Sequence, residues 1–172
     1  ELLDYSKGTI SLNFKIVQLG TWLDRLTQHM SDDLDEANIQ FSQILYFDRD
    51  VIMDEARVRR AVLNLVANAV NAMPEGGELT IATDETDGRW RLSDSDTGSG
   101  IAPELRLRVF HPFATLGRNC ETGLGLAMAK EVVEAHGGSL TFETWTPSGP
   151  DGRESGTTFQ IEIPVSPTRS AP

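Results

Sequence analysis

Apolar and polar residues alternate along this chain with two different periods, and the switches between them mark out its elements. Thr9 to Val17 carries apolar side chains at Ile10, Leu12, Phe14 and Ile16, every second position, which predicts a strand or extended arm. From Leu19 to Asp35 the spacing becomes helical, with Leu19, Trp22, Leu23, Leu26 and Met30 on one stripe. Ile39 to Phe47 reads as a strand. Asp54 can cap a long helix that runs to Met73, stopped by Pro74 and the Gly76-Gly77 pair, with Val58, Val62, Leu65, Val66, Ala69 and Met73 as its inward face. Glu78 to Thr83 and Arg89 to Ser95 predict a strand pair, Pro103 to Phe110 a short helix, and Gly123 to His136 an amphipathic helix closed by Gly137-Gly138. Ser139 to Trp145 and Thr157 to Ile163 predict two final strands joined by a loop rich in Pro, Gly and charge. His111 to Thr122 has no period and reads as a mobile loop. Mixed strands and helices ending in antiparallel hairpins predict an α+β two-layer sandwich, with helices on one face of a mixed sheet of about five strands.

Composition narrows the function more than the fold. A chain of 172 residues fits one domain with an added arm. Its net charge of -11, with no dense Lys/Arg cluster, argues against a nucleic-acid partner. Cys120 is the one cysteine, so a disulfide framework and a cysteine metal site are excluded, and a reducing, cytoplasmic setting fits. No apolar run approaches the roughly 18 residues a membrane span needs.

Three clusters carry candidate chemistry. Asp96-Thr97-Gly98-Ser99-Gly100-Ile101 follows a strand, which fixes the Asp96 carboxylate, and its glycines let backbone approach a flat or phosphorylated group; alone it is equally an ordinary turn. On the helix after Asp54, Asn64, Asn68 and Asn71 fall within roughly 60° of one another at about 100° per residue, with Arg57 and Arg60 on the same sector. A solvated face is the plain alternative, yet such faces favour Glu and Lys, which form helix better. Three carboxamides offer neutral oxygen ligands, suited to a Mg²⁺ ion that already faces a polyphosphate. Thr122-Gly123-Leu124-Gly125-Leu126 opens a helix and presents backbone N–H groups at the positive end of its dipole; it is either an anion site or a flexible helix start. There is no Walker loop and no GxGxxG in a βαβ unit.

The ordered set of an Asn-rich helix, DTGSGI, the Phe110-His111-Pro112-Phe113 loop, TGLGL and a final GTTF (Gly156 to Phe159) resembles the ATP-binding catalytic domain of bacterial sensor histidine kinases. That superfamily also includes gyrase, the heat-shock chaperone ATPases and the MutL proteins, and shares the Bergerat-type ATP-binding fold. The resemblance covers about Ser11 to Val165; NAMPEGGELTI and VVEAHGG resemble the nitrogen-regulation type in particular, and LLDYSKG resembles the end of the dimerisation helix that precedes the domain. It implies residues 1–8 as the end of that helix, 9–165 as the catalytic domain with a lid at about 111–122, and 166–172 as a disordered tail.

It also implies roles. Asp96 would accept a hydrogen bond from the adenine amine, with Gly98, Gly100 and Ile101 shaping the base pocket and Thr157 or Thr158, of which Thr158 is taken, behind it. Asn68 would ligate Mg²⁺, Asn64 would assist, and Asn71 would lie near the phosphates. Phe113, Thr122, Gly123, Leu124, Gly125 and Leu126 would border the nucleotide, and Arg118 would be the lid cation at the γ-phosphate. Where hydrolysing relatives have a Glu base, this chain has Asn64, which cannot take a proton; that favours transfer to a protein acceptor over hydrolysis.

The implied cofactors are ATP and Mg²⁺. The implied partners are the dimerisation and histidine-phosphotransfer domain of the same protein, in a homodimeric parent, and a response regulator receiver domain. No histidine here has the acceptor's surroundings: His29 lies in a domain helix, His111 in the lid, and His136 reads as a helix-end cap. Three residues depart from the family's pattern: Glu121 before TGLGL, His111 for a usual acid, and Asp94 for a usual aliphatic in the strand leading to Asp96. A buried Asp94 needs partners, and two neighbouring carboxylates would raise one pKa. These departures keep open a degenerate, nucleotide-binding regulatory domain with weak or no transfer.

Overall fold

The computed structural model describes residues 11–113, 123–146 and 155–166. The expected helix end at Glu1 to Gly8, the 167–172 part of the tail, and Arg118, Cys120, Glu121 and Thr122 of the expected lid lie outside the described residues. The elements, in order, are β1 (Lys15–Gln18), α1 (Leu19–Glu36), β2 (Ile39–Leu45), β3 (Asp50–Met53), α2 (Glu55–Ala72), β4 (Gly77–Thr86), β5 (Arg89–Asp96), α3 (Pro103–Arg106), α4 (Gly125–Ala135), β6 (Ser139–Trp145) and β7 (Gly156–Pro164).

Five strands form one sheet in the order β2-β4-β5-β7-β6, with β2 parallel to β4 and the other pairings antiparallel. Along β5, Trp90, Leu92, Asp94 and Asp96 are buried while the residues between them are half-exposed. One face is therefore covered and the other meets solvent, the two-layer α+β arrangement the sequence predicts. The helical stripes do the covering. Leu19, Trp22, Leu23, Leu26, Met30 and Leu34 of α1, and Val58, Ala61, Val62, Leu65, Val66 and Ala69 of α2, are buried against Leu79, Ile81, Leu92, Ile161 and Ile163. Each buried Leu, Ile, Val or Met among these stabilises the fold by about 1.5–3 kcal/mol.

Two helix starts are capped by side chains. Gln18 accepts from the Thr21 N–H at 2.6 Å, and Asp54 accepts from the Arg57 N–H at 3.1 Å.

The arm departs from expectation. Its strand begins at Lys15, and Ile16 faces solvent (73% exposed) while Val17 is buried. Antiparallel pairing with β3 sets this register, placing Val17 opposite Val51. A strand slipped by one residue exchanges its faces, so the pairing overrides the alternation of Leu12, Phe14 and Ile16. β3 itself is too short to show a period. The helix expected at Pro103 to Phe110 is one α-turn, Pro103–Arg106, followed by turns.

Candidate functional site

Helix α2 is the spine of the site. Its inward face fixes its rotation, so Asn64 and Asn68 lie half-exposed along one side and Asn71 is exposed. The Asn64 Nδ2–H donates to the Gly125 carbonyl at 3.0 Å, and the Asn68 Nδ2–H donates to the Asn64 carbonyl at 2.6 Å. Each carboxamide is oriented by its nitrogen, and its neutral oxygen remains as a hard ligand atom of the kind Mg²⁺ takes. The donor set fits the ion. Among the described residues no cluster of His, Cys, Asp and Glu offers another metal site.

The Asn64 bond brings in α4. A Cβ on Gly125 would stand 3.3 Å from the Asn64 Cγ, so the glycine permits the close approach. Unlike α1 and α2, α4 starts with no side-chain cap at Leu124, and its first N–H groups are the backbone donors an anion would meet. Gly123 precedes it at φ 63°, while Leu126 is buried in the core. The Phe113 N–H donates to the Gly123 carbonyl at 2.8 Å, which holds the two flanks of the 114–122 segment together. Phe113 does this at φ 65°, with its ring 71% exposed.

The end of β5 hangs on the last turn of the same spine. The Ser99 N–H donates to the Ala72 carbonyl at 3.1 Å, and a Cβ on Gly98 would stand 2.6 Å from the Ala72 Cβ. Gly100 has φ 71°, and a Cβ there would collide with the Trp145 carbonyl. These glycines are needed for backbone packing against α2 and β6.

Asp96 is buried and accepts the Gly98 N–H at 2.8 Å and a further N–H from Thr157. Burial pushes its pKa up to about 6, against those two bonds, which lower it. Ile101, five positions on and also buried, is fixed by its N–H to the Thr144 hydroxyl at 2.8 Å. That hydroxyl also donates to the Gly156 carbonyl at 3.0 Å and lies 3.2 Å from the Thr157 hydroxyl.

Thr158 is a correction. It pairs with Ser95 through hydroxyls 2.9 Å apart, on the opposite face of the sheet from Asp96. Thr157, directly across from Asp96 in register, is the threonine on the Asp96 face. Strand alternation decides this, and the buried run Phe159, Ile161, Ile163 carried the signal, since Thr157 shares its parity. Thr144 had no signal, because its partners become neighbours only through the β6–β7 register.

Asp94 lies one pleat deeper on the same face. It is fully buried between Ile81 and Phe159 in register, and neither carboxyl oxygen finds a partner among the described residues. Burial, then the Asp96 charge, pushes its pKa up to about 8, so it is a neutral acid at pH 7. Of the histidines, His29 is exposed on α1 with Nδ1 2.6 Å from the Arg25 carbonyl, His111 is exposed, and His136 is buried. An open groove lined by Thr27, Leu34, Asn38, Phe41 and Glu78 among others shares no residue with this site.

The chain as a whole is similar to known proteins. The family described as "Histidine kinase-, DNA gyrase B-, and HSP90-like ATPase" matches over residues 53–167. The sensor histidine kinase ZraS of Escherichia coli K12 is 31% identical over 176 residues, an alignment covering all of this chain and 35% of ZraS. The structure of full-length ShkA in complex with AMPPNP superposes with a TM-score of 0.79 at 28% identity, covering 92% of this chain and 32% of ShkA. The histidine kinase ThkA, in complex with the response regulator protein TrrA, gives 0.78 at 28% identity, covering 98% of this chain and 46% of ThkA. The chain spans about a third of the length of ZraS. It therefore belongs to the histidine kinase-, DNA gyrase B- and HSP90-like ATPase family, as the catalytic ATP-binding domain of a bacterial sensor histidine kinase.

Proposed function

We propose that this chain binds Mg·ATP and delivers the γ-phosphoryl group to a histidine on the dimerisation helices of its homodimeric parent kinase, for relay to a response regulator. The observation that carries the reading is Asn64, held by Gly125 at the junction of α2 and α4. An amide cannot take a proton from water, so the site works by positioning and charge. The bond formed is from an imidazole nitrogen to the γ-phosphorus; the bond broken is from that phosphorus to the bridging oxygen, and ADP leaves.

The chain's own residues divide the work. Asp96, as the carboxylate, accepts the adenine amine; Ile101, Gly98 and Gly100 shape the base pocket, with Thr157 holding Asp96. The backbone at Gly123, Leu124 and Gly125 meets the phosphates, with Asn71 near them and Leu126 anchoring α4 in the core. Asn68, assisted by Asn64, would hold Mg²⁺, which when bound offsets the negative charge of the triphosphate. Arg118, Thr122 and the Phe113 ring complete the proposed set. The complex of ThkA with TrrA supports a response regulator as the downstream partner. We place the domain in the cytoplasm; among the described residues no helix is long and apolar enough to cross a membrane.

The test mixes this chain with a separately prepared dimerisation domain of its parent and γ-labelled ATP. Acid-labile, base-stable label on that domain is expected. Its absence, with a partner shown to be folded and dimeric, would sink the transfer reading. A second reading, a nucleotide-binding regulatory domain of a degenerate kinase, is favoured by the partnerless Asp94. Calorimetric binding of ATP without any transfer would select it.

A further inference from the structure

Three segments far apart in sequence meet at one buried ring. His136 follows the last turn of α4 and is 4% exposed. Its Nε2 accepts the Asp54 N–H at 3.0 Å, and its Nδ1 donates to the Val132 carbonyl at 2.7 Å. An amide N–H can only donate and a carbonyl can only accept, so the ring is neutral and protonated at Nδ1. Asp54 caps the start of α2 and, through Oδ2, accepts the Asn13 N–H of the arm at 2.9 Å. The Phe14 ring meets the His136 ring edge-on, with centroids 5.5 Å apart. The helix-end cap expected of His136 is half of what it does; the other half reaches α2.

The node has a counterpart. From Asp54 to Asn64 is ten positions along α2, and from Gly125 to His136 is eleven along α4, so both runs span about 15–17 Å. Asn64 bonds Gly125 at one end and His136 bonds Asp54 at the other. The two helices are antiparallel, with a rung at each end of α4 that meets α2 at its start and at its middle. One rung lies in the candidate nucleotide site. The other holds the arm through which the chain enters the domain.

We propose that His136 is a positioning residue for nucleotide binding, whose neutral ring fixes α2 against α4 and holds the incoming arm at the same node. The inference rests on the reading that these two helices carry the nucleotide ligands. Adding a proton at Nε2 sets N–H against the Asp54 N–H and opens the rung. The charged side chains acting on the ring are Asp54, which favours the protonated form, and Arg57, which opposes it; burial is the largest influence and keeps the ring neutral below its ordinary pKa.

The experiment uses this chain in solution. Nitrogen NMR reads the ring tautomer and the pH at which the ring gains its second proton, and hydrogen exchange reads the Asp54 amide, while calorimetry measures a non-hydrolysable ATP analogue with Mg²⁺ at about pH 7.5 and at a pH below that ring titration, which burial moves under the ordinary imidazole value. The Nδ1–H tautomer and a protected Asp54 amide are expected. His136→Ala should weaken the analogue about tenfold at the higher pH, and His136→Gln, which keeps a non-titrating acceptor, should restore most of that loss. On acidification the wild type should lose about tenfold more affinity than His136→Gln, since titration of Asp96 is common to both. A folded His136→Ala with wild-type affinity overturns the proposal, as do matching pH profiles for wild type and His136→Gln. If His136→Ala does not fold, the comparison of those two profiles decides. Wild-type protein that binds no nucleotide refutes the functional reading; the rung is then judged alone by whether His136→Gln preserves Asp54 protection.

Discussion

Replacing Asp94 by valine should stabilise this protein, and by an amount that depends on pH. Asp94 is fully buried with both carboxyl oxygens unpartnered among the described residues, and its pKa rises from 3.8 to about 8. The folded state therefore keeps a proton that the unfolded chain releases near pH 4. Between those values the folded state binds more protons, so stability falls as pH rises. The contribution is fully present below about pH 4 and lost by about pH 8. Each unit is worth about 1.4 kcal/mol, so holding the acid neutral costs about 4 kcal/mol at pH 7 and about 2 at pH 5. Valine has no proton to keep, suits a strand, and fits between Ile81 and Phe159. Urea unfolding of both proteins at pH 5, 6 and 7 measures the gap. It should widen by about 1.4 kcal/mol per unit, moving the midpoint by roughly 2 M at pH 7 for a slope of about 2 kcal/mol/M. A gap that stays constant with pH would refute the argument, because a carboxylate ionised in the folded state gives no such slope.

Other outcomes follow from the site. Asp96→Ala should reduce affinity for an ATP analogue at least about a hundredfold by calorimetry, the loss of a charge-assisted acceptor in a buried pocket; equal binding would contradict the assignment. In the wild type that affinity should fall as pH drops through about 6, where Asp96 gains the proton that ends its acceptor role. Asn68→Ala should leave Mg²⁺-free nucleotide binding near wild type while abolishing the gain on adding Mg²⁺, read in paired titrations with and without a chelator. Gly98→Ala puts a methyl 2.6 Å from the Ala72 Cβ and 2.7 Å from its carbonyl oxygen, and should lower stability by about 1–3 kcal/mol in urea unfolding.

The Asn stripe was legible because helical spacing and an apolar opposite face fix its direction once the helix forms. Asp96 was legible as the residue directly after a predicted strand and before the glycines. Thr157 could have been read from the parity of Phe159, Ile161 and Ile163, yet the GTTF pattern does not itself choose between two adjacent threonines. Thr144 and the Asp54–His136 bond, 82 residues apart, had no local trace.

What the sequence determined by itself was whatever one element decides alone: the periods of α1 and α2, the cap at Asp54, the spacing of Asn64, Asn68 and Asn71, and the turn after Asp96. Backbone geometry within a single helix or strand sets these, so neighbours along the chain suffice to read them. Tertiary structure decided the rest. The β1–β3 pairing turned Ile16 outward and Val17 inward, the packing of α2 on α4 made His136 and Asn64 into rungs, and burial behind Asp96 made Asp94 a neutral acid. Each depends on which distant segment lies alongside, because register and local dielectric belong to the assembled core.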